Sequence, residues 1–281
     1  MAPLGILMAV FVFLVFIRGF LISLTDAQGI NHGSFIGLAN FKAIAADRQF
    51  WTAVLTTLEF AGACLITQLP AAFLLASWLR TVRSQRIQAV LSAAFLVPFL
   101  MNSVVTALLF RMLFAEPGIV NWLLGLLHLP DQVRWVFDPE VSFGLLVGVA
   151  FWQGIGFPTI YFLTAFQAID PTIYEAATLD GASAPVRFLR ITVPLMRPAV
   201  TFLAVTSAVG SLVVFDLVFL LFQQGVNDNV RSILIYIYGK AYFGNLELGL
   251  GAAAGWIAFF IILVVSLLQL NVLGLGKPQE E

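Results

Sequence analysis

The sequence predicts an all-α integral membrane protein with six transmembrane helices and a cytoplasmic helix-Gly-helix loop between helices 4 and 5. Of its 281 residues, 60% are hydrophobic and only 10% are charged, and the mean hydropathy is +0.98. A soluble domain would carry a charged fraction of about a quarter. The composition therefore excludes a soluble globular protein, and the single cysteine excludes an intrachain disulfide or a thiolate metal cluster.

Six apolar runs are long enough to cross a bilayer, which takes a helix of about 20 residues. They cover residues 4–24, 53–78, 89–114, 141–166, 198–222 and 248–272. Each amide in lipid must bond within its own segment, and no alternating pattern of ten-residue strands is present, so we expect helices. The first run has no basic residue before it and is too long for the core of a cleavable signal, so we expect it to be retained.

Lysine and arginine predict the orientation of these helices. Seven lie on the side of the loop at residues 170–198 and five on the other side. The first set is Arg80, Arg83, Arg86, Arg187, Arg190, Arg197 and Lys277, and the second is Lys42, Arg48, Arg134, Arg231 and Lys240. Because short cytoplasmic loops are rich in basic residues, we expect this loop and both termini to be cytoplasmic.

The chain is predicted to divide into three parts. Residues 1–50 hold the first transmembrane helix and an outer segment, residues 51–273 form the transmembrane domain, and residues 274–281 form a cytoplasmic tail. In the outer segment, apolar positions at helical spacing in residues 41–46 predict a short interfacial helix. Trp51 fits the end of this helix or, alternatively, an aromatic belt at the membrane surface.

The loop at residues 170–198, which we call the elbow, is predicted to form two short helices joined at a glycine. Asp170 can accept hydrogen bonds from the first free amides of a helix, and the proline after it has no amide to leave unpaired. Gly181 ends this helix, Ser183 is the N-cap of a second, and Pro194 ends that one. A ten-residue helix covers only roughly 15 Å of a hydrocarbon core about 30 Å thick, so the elbow lies at the membrane surface.

Six elbow residues follow the spacing E-A-A-x3-G-x9-I-x-L-P, with Val193 in place of the leucine. This spacing resembles the signature loop of the inner-membrane permeases of binding-protein-dependent ABC importers. The resemblance implies that the elbow couples the membrane helices to a cytoplasmic ATPase subunit; the alternative is an ordinary surface loop that caps the bundle. The candidate coupling residues are Glu175, Ala176, Ala177, Asp180, Gly181, Ile191 and Pro194.

The resemblance also implies the partners. They are a second, homologous permease, two copies of a cytoplasmic ATPase and an extracytoplasmic solute-binding protein, in the inner membrane of a bacterial or archaeal cell. The chain lacks the phosphate-binding motif G-x-x-x-x-G-K-[ST], so ATP and Mg would be bound by the ATPase subunits, with no cofactor or metal on this chain. The motifs H-E-x-x-H and G-x-S-x-G are absent too, so we do not expect an enzyme, and a net charge of -1 gives no argument for nucleic acid.

Residues 234–243 and 248–254 resemble the carbohydrate-uptake branch of the same family, although the Gly-Gly-Pro typical of its outer loop is absent near residues 223–226. We therefore expect a sugar or oligosaccharide as the solute. Another small polar solute, such as glycerol phosphate or a polyamine, is the alternative. A secondary transporter or a membrane enzyme would leave the elbow unexplained.

Polar residues in the helices on either side of the elbow are candidates for a translocation path. Two pairs four residues apart each share one helix face, and amides, hydroxyls and an aromatic ring suit a sugar. We expect the path to be lined by Gln153, Gly154, Phe157, Ser207, Ser211 and Asp216. The alternative is close packing at small residues with a proline kink, and serines that bond to backbone.

Three further charges lie within the predicted spans. Arg18 and Arg111 are near helix ends, where their side chains can extend to the membrane surface. Glu59 lies about two turns into the second helix and is expected to pair with a neighbouring helix, because a lipid-exposed charge is unfavourable.

Overall fold

The computed structural model describes residue 5 and residues 9–31, 33–223 and 226–272. In these residues the chain is helical, with no strand beyond two isolated bridges, as the sequence predicts. The predicted start of the first span at residue 4 and the predicted tail at 274–281 lie outside the described residues.

The helices fall into long apolar ones and short ones at the two ends of the bundle. In chain order they are α1 (Leu14–Ser23, preceded by a π-helical turn at Ala9–Phe13), α2 (Ala39–Ala46), α3 (Arg48–Leu79), α4 (Gln85–Leu100), α5 (Ser103–Leu113), α6 (Ile119–Leu126), α7 (Pro139–Gly154), α8 (Gly156–Gln167), α9 (Pro171–Leu179), α10 (Ala184–Leu195), α11 (Arg197–Leu212), α12 (Asp216–Phe222), α13 (Ile233–Tyr242) and α14 (Leu248–Val272).

Two helices, α3 and α14, are each long and apolar enough to cross a membrane. Three bent pairs bring the number of candidate crossings in the described part of the chain to as many as five. The angles are 93° between α4 and α5, 43° between α7 and α8, and 58° between α10 and α11. The first run is described as a shorter apolar helix, Val10–Ser23, so the count of six spans stays a prediction.

Three of the predicted spans are interrupted helices, and the sequence indicated only the interruption beside Gly156 and Pro158, as a proline kink. The breaks fall at Met101–Asn102, at Ile155 and at 213–215. A break in the hydrogen-bond ladder is tolerated in a membrane only where it faces protein or water. The breaks therefore mark places where these helices are turned away from lipid.

The uninterrupted helix α3 is the centre of the bundle. It has 32 residues, which is about 48 Å at 1.5 Å per residue, and it packs against α7, α8, α11 and α13. It contributes to all three hydrophobic clusters, for example with Phe50 near its start, Phe60 further along and Leu79 at its end. The other helices are thus arranged around one continuous rod.

The segment before α3 forms the expected interfacial helix, α2, which begins two residues earlier than predicted. The Asn40 side chain donates hydrogen bonds to the carbonyls of Ser23 and Thr25, so α2 is fixed to the end of α1. Trp51, in the first turn of α3, is exposed and its indole N–H donates to the Ala45 carbonyl at 2.9 Å, so it connects the start of α3 to the end of α2.

Glu59 is exposed on the surface of α3 and makes no hydrogen bond or ion pair with any residue that the structure describes. The expected pairing with a neighbouring helix of this chain is therefore not seen within those residues.

Candidate functional site

The first arm of the elbow is α9. The Asp170 carboxylate accepts a hydrogen bond from the Thr172 amide at 2.9 Å, and Pro171 occupies the first turn. This hydrogen bond from a backbone amide lowers the pKa of Asp170 below its ordinary value, since it favours the charged carboxylate. The helix thus begins at the N-cap that the sequence indicates.

The turn between the two arms depends on Gly181, which has a φ of +77°. The Ala182 amide donates to the Ala177 carbonyl at 2.9 Å, and the Gly181 amide donates to the Thr178 carbonyl at 3.1 Å. These are the two bonds of a Schellman helix ending, in which glycine is strongly favoured because it tolerates positive φ. A Cβ at Gly181 would meet nothing within 4 Å, so the backbone here is open to another surface.

The second arm, α10, contains a π-helical turn at Phe188–Thr192 and ends at Leu195, one residue past Pro194. Ser183 stands at its N-cap, but the serine side chain makes no capping hydrogen bond. A 58° bend then leads into α11. The second arm and the membrane helix after it are therefore joined almost directly.

The candidate coupling residues are divided between an exposed group and a half-buried group. Exposed are Glu175, Ala176, Asp180 and Gly181, and half-buried are Ala177, Ile191 and Pro194. The sequence analysis missed Leu179 and Leu189, which are 89% and 64% exposed on the same loop. Large apolar side chains exposed beside an open backbone are typical of a docking surface.

A cavity of about 540 Å³ lies level with the middle of α3, and all three helix breaks border it. The first break contributes Met101 and Ser103, the second contributes Gly154 and Phe157, and the third contributes residues 213–216. All six predicted path residues line this one cavity: Gln153, Gly154, Phe157, Ser207, Ser211 and Asp216.

Two glutamine side chains donate hydrogen bonds to backbone carbonyls at or near the breaks. The Gln153 amide donates to the Met101 carbonyl at 3.1 Å, and the Gln68 amide donates to the Ala150 carbonyl at 3.0 Å. Buried carbonyls need such partners. Gln153 therefore has a structural role beside any contact with a solute, and Gln68 was missed although it is a polar residue in the middle of an apolar run.

The glycines near the second break allow helices to approach closely. A Cβ at Gly154 would lie 2.9 Å from the Gln68 side-chain oxygen, and one at Gly156 would lie 2.1 Å from the Phe95 carbonyl oxygen. For these glycines, the packing alternative that the sequence left open therefore applies.

The cavity also offers polar and aromatic groups beside aliphatic ones such as Val214 and Leu217. The Ser211 hydroxyl donates to the Ser207 carbonyl at 2.9 Å, whereas the Ser207 hydroxyl makes no hydrogen bond to a described residue. Phe99 and Phe157 are stacked with ring centroids 5.2 Å apart. Asp216 is the charged residue among the lining residues, which include no lysine or arginine. The cavity can thus accept and donate hydrogen bonds and offer an aromatic face.

The N-terminal end of α3 carries a second polar cluster. The Tyr236 hydroxyl donates to the Asp47 carboxylate at 2.6 Å, and the Lys240 ammonium lies 3.5 Å from the same carboxylate. Partial burial raises the pKa of Asp47, but the bonds from Tyr236 and the Gln49 amide and the Lys240 charge together bring it below its ordinary value. Burial and the Asp47 hydrogen bond raise the pKa of Tyr236. This end of α3 is therefore anchored to α13.

Comparisons with known proteins agree with this architecture. Residues 68–273 match the family described as "Binding-protein-dependent transport system inner membrane component". The arabinooligosaccharides transport system permease protein AraP of Bacillus subtilis (strain 168) is 32% identical over 249 residues, 88% of this chain and 78% of AraP. The trehalose/maltose transport system permease protein MalF of Thermococcus litoralis is 29% identical over 276 residues, 96% of this chain and 90% of MalF.

A solved structure gives the same result for the fold. A chain of a bacterial ABC transporter involved in the import of the acidic polysaccharide alginate superposes with a TM-score of 0.86 at 25% identity, covering 98% of this chain and 94% of that one. The resemblance inferred from the elbow spacing is thereby confirmed, as is the all-helical permease fold. The chain belongs to the family of inner-membrane components of binding-protein-dependent transport systems.

Proposed function

We propose that this chain is one of two homologous permease subunits that carry a sugar or oligosaccharide inward through six membrane helices by alternating access. As a member of its family it is a multi-pass inner-membrane transport component and not an enzyme. The observation that carries the proposal is the convergence of three helix breaks on one cavity near the middle of the bundle. Discontinuous helices at mid-membrane depth are the usual way to build a solute site in a transporter.

The energy source in this proposal is ATP, bound with Mg by two cytoplasmic ATPase subunits that dock on the elbow. The elbow offers an exposed acidic residue, Glu175, an open backbone at Gly181 and an exposed apolar side chain, Leu179. Charge, close approach and apolar area together suit a protein partner. An extracytoplasmic solute-binding protein delivers the solute, as the family description implies.

A sugar is proposed because AraP and MalF are named for saccharides and because the chemistry of the cavity suits one. Hydroxyl and amide groups can bind sugar hydroxyls, and the stacked Phe99–Phe157 pair offers an aromatic face to sugar C–H groups. A polyamine is the second candidate, since Asp216 would attract a cation. Glycerol phosphate fits less well because, in the part of the chain that the structure describes, no basic residue lines the cavity.

The test is uptake by the purified assembly in proteoliposomes, with its solute-binding protein outside and ATP inside. We expect uptake of a neutral oligosaccharide that requires ATP and continues after ion gradients are collapsed. Uptake that follows a proton or sodium gradient without ATP would show a secondary transporter. ATP-driven uptake of spermidine in place of the sugar would favour the polyamine.

The proposed orientation places the elbow and both termini in the cytoplasm. It is tested by replacing Ser84, in the loop between α3 and α4, with cysteine in a Cys64→Ala background. A membrane-impermeant thiol reagent should label Ser84→Cys in inside-out vesicles and not in intact cells. Labelling in intact cells would overturn the orientation.

A further inference from the structure

The cytoplasmic end of α3 is joined to the elbow by one arginine. Arg80 caps α3, and its guanidinium carbon lies 4.9 Å from the centre of the Tyr174 ring and 5.8 Å from that of Phe166. Its Nη1 atom is also 3.5 Å from the Tyr174 hydroxyl. A guanidinium within about 6 Å of two aromatic rings is attracted by both. Arg80 therefore contacts the elbow and the end of α8 at once.

Tyr174, on the first arm of the elbow, also reaches the second arm. Its hydroxyl lies 3.0 Å from the Thr192 hydroxyl, and Thr192 is buried. The Arg187 guanidinium of the second arm bonds the Thr178 hydroxyl of the first at 2.5 Å. The two arms are thus tied together, and Tyr174 is the residue that links both arms to Arg80.

The rod α3 continues from this contact to the cavity without a break. Arg80 is twelve residues beyond Gln68, which corresponds to about 18 Å along the helix. Gln68 lines the cavity, bonds the Ala150 carbonyl and lies against Gly154 at the second break. A displacement of Tyr174 can therefore reach the cavity wall through a continuous helix.

We propose that Arg80 is a positioning residue for transport: it clamps the elbow to α3, so that movement of the elbow displaces Gln68 and the cavity wall. This inference rests on the proposed coupling function of the elbow. Arg80 is exposed, and exposed contacts of this kind stabilise a fold only weakly. Its removal should therefore change coupling and not folding.

The experiment measures solute molecules imported per ATP hydrolysed by the complete assembly in proteoliposomes. Arg80→Ala should lower this ratio about fivefold, while the ATPase subunits still co-purify and ATP hydrolysis continues. Arg80→Lys keeps a cation over the ring but loses the planar fork, so its ratio should lie in between. The matched control is Arg83→Ala: Arg83 is in the same loop, is exposed and has no bond to a described residue. The control should behave as wild type.

A second variant tests the partner side of the clamp. Tyr174→Ala should lower the ratio at least as far as Arg80→Ala does, because it also removes the contact with Thr192. The double variant should be no worse than Tyr174→Ala alone, because both substitutions remove the same contact between Arg80 and Tyr174. A wild-type ratio in Arg80→Ala, or equal losses in Arg80→Ala and Arg83→Ala, would overturn the proposal. Additive losses in the double variant would do so as well.

Glu175→Lys in the same assay distinguishes a failure of the clamp proposal from a failure of the proposed coupling function of the elbow. If Glu175→Lys uncouples transport and Arg80→Ala does not, the elbow is the coupling element and the clamp alone is wrong. If both variants transport normally, the elbow itself is not the coupling element.

Discussion

The rod α3 and the helices beside it differ in the continuity of their backbone hydrogen bonding. The rod crosses the bundle unbroken from Arg48 to Leu79, whereas its neighbours are interrupted at Met101–Asn102, Ile155 and 213–215. The interruptions border a cavity, and the rod contributes Gln68 to its lining, where the Gln68 amide also donates to the Ala150 carbonyl. In the proposed function, the solute site is made where helices end, and movement is transmitted where a helix continues.

The comparison also shows that proline alone does not decide where a helix breaks. Pro70 lies inside α3 without interrupting it, whereas Pro98 and Pro158 lie close to breaks. At the first break Asn102 caps the next helix by accepting a hydrogen bond from the Val104 amide at 2.8 Å. Proline alone therefore does not interrupt α3, whereas the first break coincides with a side-chain cap at the start of the next helix.

The largest effect is expected at the second break, from Gly156→Ala. The new Cβ would lie 2.1 Å from the Phe95 carbonyl oxygen, and both atoms belong to helices that cannot simply rotate away. Overpacking of this kind costs about 1–3 kcal/mol, so the thermal stability and the yield of assembled protein should fall. Gly148→Ala in α7 is the matched control, since its Cβ would meet nothing within 4 Å. Equal stability of the two variants would contradict the close contact between α4 and α8.

The second prediction concerns the elbow, whose movement is proposed to displace the rod α3. Gly181→Asp forces a Cβ onto a residue with a φ of +77° and adds charge at an open surface, at a cost of about 1–2 kcal/mol in local strain. Transport should be lost while the membrane helices remain folded, as judged by unchanged detergent gel filtration. Gly144→Asp is not a suitable control, because it would place a charge within a membrane helix. Leu179→Ala, which removes only apolar area from the elbow, should give a smaller loss of transport. Normal transport by Gly181→Asp would remove the elbow from the mechanism.

The sequence predicts features that depend on neighbouring residues better than features that depend on contacts distant in the chain. The Asp170 cap, the Gly181 turn and the apolar runs are local patterns, so they could be predicted from neighbouring residues. The first and third breaks could not, because they depend on contacts distant in sequence, such as Gln153 with Met101 at the first. The clamp at Arg80 was missed for the same reason: its partner Tyr174 is 94 positions away in the chain.

The third prediction tests whether the breaks form the solute site. The Ser207 hydroxyl has no hydrogen bond to a described residue, whereas the Ser211 hydroxyl already bonds the Ser207 carbonyl. Ser207→Ala should lose one hydrogen bond to solute, about 0.5–1.5 kcal/mol, or roughly a three- to tenfold lower transport efficiency. Gln153→Ala should lower uptake and also weaken the first break, because the Met101 carbonyl loses its partner. Disassembly of the complex by Ser207→Ala would instead identify this serine as a packing residue.

The smallest effect is expected at the N-terminal end of the rod, where Asp47 anchors α3 to α13. The pKa of Asp47 is lower in the folded protein than its ordinary value of 3.8. The carboxylate therefore stabilises the fold fully above about pH 4 to 5, and this contribution is lost as the pH falls through the lowered pKa. Asp47 is only partly buried, so the loss should be about 1 kcal/mol or less.

Asp47→Asn should be less stable than wild type at pH 7, and the difference in melting temperature should shrink on acidification to about pH 3. Tyr236→Phe removes one hydrogen bond to the carboxylate. Its difference in melting temperature from wild type should be smaller and should also shrink on acidification, since the bond from the Gln49 amide and the Lys240 charge remain. A difference between wild type and Asp47→Asn that stays constant from pH 7 to pH 3 would mean that the charge of Asp47 does not hold this end of the rod.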